Sequence, residues 1–225
     1  MTNIQKYLLS QADQKYRDFT LPLLPNVDEK TFIGVRLPII KKYAKELSEK
    51  EREEFLDSLP HQYHEENILH AFILSNTKDY EKFIKYVDAF LPYVTNWSVC
   101  DSICNKNLYK YKTQLIKEIY KWLKSQEIYR VRYAVKCLMN YYLGEDFNEE
   151  HIKKVEEVKL EDYYVRMMIA WYIATGLAKN YDEFIKVIEK QKFDSFTHNK
   201  AIQKAVESYR VSEEHKQHLK TLKNK

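Results

Sequence analysis

"YYVRMMIAWYIATGLAK", residues 163–179, holds no proline and repeats its apolar residues at helical spacing. At about 100° per residue, Val165, Met168, Ile169, Tyr172, Ile173, Gly176 and Leu177 fall in one stripe. Trp171 lies about 140° from the middle of that stripe by the same arithmetic. Such a ring either faces solvent or is covered by a second packing layer, as on the inner helices of a solenoid. Asn180 follows, a capping residue type placed before "YDEF".

The same periodicity runs outward from Asp13 to the end of the chain. Helices are predicted near 11–20, 37–49, 51–59, 61–77, 79–94, 96–104, 109–125, 126–143, 148–159, 161–179, 181–191, 196–208 and 212–223. Asp28, Thr77, Thr95 or Asn96, and Asn180 are the expected caps, and Gly144 closes one helix into the loop "GEDFN". Hairpins of roughly 35–45 residues joined by short loops predict an all-α chain, a right-handed α-solenoid of HEAT-like hairpins over 1–225 as one domain. An irregular helical bundle is the alternative.

Composition agrees. Three Gly and five Pro, the last at Pro92, argue against a sandwich, a barrel or a nucleotide-binding sheet. Cys100, Cys104 and Cys137 give neither a disulfide framework nor a zinc pattern, and Cys100 and Cys104 read as core residues. The polar start "MTNIQKYLLSQADQKYR" lacks a signal-peptide run, and no stretch reaches the roughly 18–20 apolar residues of a membrane span. The expectation is a cytoplasmic monomer, with no membrane, cofactor or metal. "YHEENILHAF" holds His64, Glu65, Glu66 and His70. It departs from the zincin order, so a helix-surface charge cluster is expected there.

Net charge is +4, but residues 186–225 carry ten basic against five acidic side chains. That end is either a solvated helix or a polyanion-facing surface. In "EIYRVRYAVKCLMNYYL", Arg132, Lys136 and Asn140 form an i, i+4, i+8 row at the edge of the core stripe, interleaved with Tyr129 and Tyr133. Such a row suits a phosphate backbone or an ordinary snorkelling edge. In "NWSVCDSIC", Val99 and Ile103 mark the buried side, and Trp97 and Asp101 point roughly opposite. Asp101 is 31 residues before Arg132, and Arg132 is 39 before Trp171. Intervals near one repeat place these residues at equivalent points of successive hairpins, on one concave surface, with Lys200 and Lys204 a further repeat along.

These segments resemble the DNA alkylation-repair glycosylases built of HEAT-like repeats. The likeness runs from "GVRLPIIKKYAKEL" through "NWSVCDSIC" and "YRVRYAVKCL" to "THNKAIQKAVESYR". The family's ordered set is a Trp, an Asp four residues on, a later Arg and a second Trp. Trp97, Asp101, Arg132 and Trp171 fill those places. The resemblance implies excision of cationic alkylated purines, N3-alkyladenine and N7-alkylguanine, from duplex DNA without base flipping. It implies that Asp101 stabilises charge on the sugar, that Trp97 and Trp171 contact the deoxyribose and backbone, and that Arg132 holds a phosphate. Lys136, Lys200 and Lys204 would add DNA contacts. After Trp171, "YIATGLAK" lacks the further charges that active members carry. A non-catalytic solenoid binding distorted or branched DNA is therefore the alternative, and a protein-binding adaptor the third reading.

Overall fold

The computed structural model describes residues 1–224. Among them there are fourteen α-helices and no strand. No helix is long and apolar enough to cross a membrane. The chain divides into two compact units, 1–111 and 112–225.

The first unit holds α1 (Asn3–Ser10), α2 (Gln14–Thr20), α3 (Leu37–Glu46), α4 (Glu49–Asp57), α5 (His64–Asn76), α6 (Tyr80–Phe90) and α7 (Trp97–Ser102). Helix α5 is its centre, packed on α3 and α7, with α1, α4 and α6 also against it. The second unit holds α8 (Lys112–Leu123), α9 (Ile128–Tyr141), α10 (Glu149–Glu156), α11 (Tyr163–Lys179), α12 (Tyr181–Glu189), α13 (Ser195–Glu207) and α14 (Glu213–Thr221). There α9, α11 and α13 form a side-by-side row, backed by α8, α12 and α14. Alternate helices in a row, each joined to a backing helix by a short turn, are the packing of helical-hairpin solenoids.

Local sequence explains most boundaries. Asn96 caps α7 by accepting from the Val99 amide at 3.1 Å, and Asp28 caps a short 3₁₀ turn by accepting from Lys30. Thr77, expected to start a helix, closes α5 instead, and Asp79 starts α6 by accepting from the Lys82 amide at 2.8 Å. Helix α1 was not foreseen, although Thr2 and Gln5 form a reciprocal capping box. Asn180 joins α11 to α12 without capping through its side chain. Its amide instead bonds both sides of Gly144, accepting from the nitrogen at 2.8 Å and donating to the oxygen at 3.1 Å. Gly144 sits at φ +81°, a left-handed conformation that favours glycine.

The "HEEN" segment corrects the expected surface charge cluster, because His64, Glu65, Glu66 and His70 are all buried. Each has at least one polar partner, which makes burial tolerable, although His70 Nε2 has none among the described residues. Glu65 accepts from the amides of Ile33, Gly34 and Val35 at 3.0, 2.7 and 3.2 Å. Glu66 accepts from the Gln62 and Tyr63 amides. His70 stacks on Phe90 with ring centroids 3.9 Å apart and shares a 2.9 Å hydrogen bond with His61. Cys100 is buried as expected, whereas Cys104 is exposed beyond the end of α7.

Candidate nucleic-acid interface

Helix α7 is too short to be stable on its own, so its place depends on side chains of α5 at both ends. At its start, the Asn96 side chain approaches His64 Nδ1 at 3.4 Å. Burial holds the His64 imidazole down to about 4, hence neutral and able to accept that contact. At its end, Ser75 Oγ bridges the Ser102 carbonyl at 3.1 Å and the Cys104 amide at 2.8 Å. The fully buried Asn105 donates to the carbonyls of Leu74 and Thr77 at 2.9 and 2.7 Å. Val99 and Ile103 face the core, so this pinned turn presents Trp97, 38% exposed, and Asp101 one turn later.

Asp101 lines an open hollow of about 540 Å³. Lys41, Lys45, Lys78 and Lys106 lie around it, with Phe72, Ser75, Asn76 and Asn107. Asp101 is the only acid in that lining. Among the described residues, no cluster of three or more His, Cys, Asp or Glu side chains is arranged to hold a metal.

In the second unit, Trp171 is 43% exposed on α11, which answers the question left open by its helical phase. Lys204 Nζ stands 5.8 Å from the Trp171 ring centroid, close enough for a cation–π contact. Both line an open hollow of about 290 Å³ with Thr175, Glu207, Ser208 and Arg210. Lys200, one turn earlier on α13, lines a separate hollow with Phe196, Asn199 and Lys223, and donates to Gln203 at 2.8 Å.

A family model described as DNA alkylation repair enzyme matches residues 4–205. The chain belongs to that family. Among curated proteins, none matches the chain.

In this DNA alkylation repair family member, the residues singled out from sequence differ in exposure. Trp97 and Trp171 are open to solvent, and Asp101 borders a hollow. Arg132 and Lys136 lie deeper than an edge row, each 5% exposed, as α9 packs against both α8 and α11. Arg132 Nη1 donates to the Tyr164 carbonyl at 2.7 Å, and Lys136 Nζ lies 6.0 Å from the Tyr133 ring centroid. Sequence reasoning missed Lys41, Lys45, Lys78 and Lys106. The first two are an i, i+4 pair in "PIIKKYAKEL", a signal that only acquires meaning once the hollow is seen.

Proposed function

We propose that this chain is a DNA glycosylase that excises cationic alkylated purines, N3-alkyladenine and N7-alkylguanine, from duplex DNA without extruding the base. One observation carries the reading: Asp101 is the single acid of an open, lysine-lined hollow, with Trp97 exposed one turn away. A basic lining attracts a polyanion, and the one acid of that lining marks where positive charge can be stabilised. In the reaction the C1′–N bond breaks and its electron pair neutralises the cationic base. Water then adds to C1′ and releases a proton. Asp101 stabilises the oxocarbenium-like sugar, and Trp97 and Trp171 offer aromatic faces to the deoxyribose and backbone. Lys136, Lys200 and Lys204 contribute to binding, and Arg132 supports a phosphate contact.

The second reading, a non-catalytic binder of distorted DNA, draws on Arg132. Its burial and its bond to the Tyr164 carbonyl suit a strut as well as a phosphate ligand. Single-turnover release of N7-methylguanine and N3-methyladenine separates the two. Asp101→Asn should bind duplex DNA like the parent and excise about tenfold more slowly or worse, a loss of at least about 1.4 kcal/mol of transition-state stabilisation. Equal excision by both proteins refutes the mechanism. Binding of distorted DNA with no excision by the parent establishes the second reading.

A further inference from the structure

We infer that Lys41, Lys45, Lys78 and Lys106 form a cationic seat for the strand that carries the lesion, holding the phosphates on either side of the deoxyribose at Asp101. All four are exposed, and all line the hollow that Asp101 lines. None of them takes part in an ion pair among the described residues.

Neighbouring lysines are treated differently. Lys42 pairs with Glu46 at 3.6 Å, Lys50 with Glu54 at 3.7 Å, and Lys82 with both Glu49 and Glu53. Helix α3 therefore sorts its cations by direction: Lys42 is neutralised by its own helix, while Lys41 and Lys45 are left for something else. A surface built only for solubility interleaves both signs, as α4 does with "EKEREEFLD". Four ammonium groups against one carboxylate in the same hollow leave an excess of positive charge, which an anion relieves.

A DNA strand suits this lining, because it carries a phosphate at every nucleotide, about every 3.4 Å along the helix axis. Asp101 among the lysines then excludes phosphate from its own position and favours the sugar between two phosphates. Lysine is a flexible point charge rather than a planar fork, so the seat reads charge and not base identity. It grips an abasic product as it grips the substrate.

The inference rests on the glycosylase reading for what stands at Asp101, but its test does not need excision. Duplex DNA is prepared with an abasic site already formed by removal of uracil. Its ring-opened C1′ aldehyde condenses with a lysine Nζ, losing water to give an imine, and added borohydride reduces the imine to a stable secondary amine. Peptide mass spectrometry should place the adduct on one or more of the four lysines. In parallel, the variant carrying Lys41→Ala, Lys45→Ala, Lys78→Ala and Lys106→Ala should lower the slope of log affinity against log salt by about three to four. Adducts only at other lysines such as Lys200 or Lys204, no adduct at all, or an unchanged salt slope overturns the seat. Adducts in the seat from a parent protein that excises nothing would refute the glycosylase reading and leave the seat standing.

Discussion

Replacing Glu65 tests how the first unit holds α3, the helix that carries Lys41 and Lys45. Glu65 is 1% exposed and receives three backbone amides. Burial pushes its carboxyl above the usual range, and those amides pull against that. In Glu65→Gln the retained oxygen can keep Gly34 and Val35, which share Oε1, while the new NH₂ faces the Ile33 amide. One buried donor is then opposed, at a cost of about 1–3 kcal/mol. Glu65→Ala orphans all three donors. Removing the carboxyl also relieves its own desolvation, which keeps the total near 3–5 kcal/mol rather than the sum of three losses, roughly. Urea unfolding gives the two free-energy changes, and hydrogen exchange at residues 33–35 shows whether protection is lost there first. A Glu65→Ala protein within about 1 kcal/mol of the parent would refute the reasoning. So would a Gln variant as costly as the Ala one.

Burial lowers His61 and His64 to about 4 and His70 well below its ordinary value. The unfolded chain therefore binds protons that the folded chain refuses, and stability falls as pH drops from about 6.5 towards 4. The slope is at most about 1.4 kcal/mol per pH unit for each histidine, and melting at pH 7.5 and 5 would expose a flat profile as a contradiction. Gly176→Ala should destabilise, because its Cβ would stand 2.4 Å from the fully buried Phe184 ring. Overpacking of about 1–3 kcal/mol exceeds the helix-propensity gain of about 1, and a melting temperature at or above the parent's would show that the ring yields freely. Trp171→Ala should change stability by no more than about 0.5 kcal/mol while slowing excision about tenfold or more. A loss of stability near 2 kcal/mol would make Trp171 a packing residue instead.

Helical period and capping chemistry were readable because both are local. A cap at Thr95 or Asn96 was legible from residue type, and the hydrogen bond from the Val99 amide shows that it is Asn96. Thr77 and Asp79 are both capping types, and only the hydrogen bonding shows that one ends α5 while the other begins α6. Burial was harder to read. Arg132 and Lys136 looked like an edge row because one-helix arithmetic sees one partner, whereas α9 packs against both α8 and α11. Glu65 looked solvated because its three partners lie about thirty residues earlier in a loop with no helical signal. The lysine seat has the same cause: its members come from α3, the turn after α5 and the turn after α7.

The bond between Asn180 and Gly144 makes that joint vulnerable to chemical ageing. An amide side chain can stand in for a peptide group because it offers one donor and one acceptor, and both are used here. Deamidation exchanges the NH₂ for oxygen, which changes shape hardly at all but sets a negative oxygen against the Gly144 carbonyl. The loop that Gly144 opens would lose one of the two bonds that tie it to the helix bearing Trp171, without any loss of apolar burial. A stored sample gaining one mass unit at Asn180 would thus be expected to keep its helix content while the 144–147 loop exchanges its amides faster.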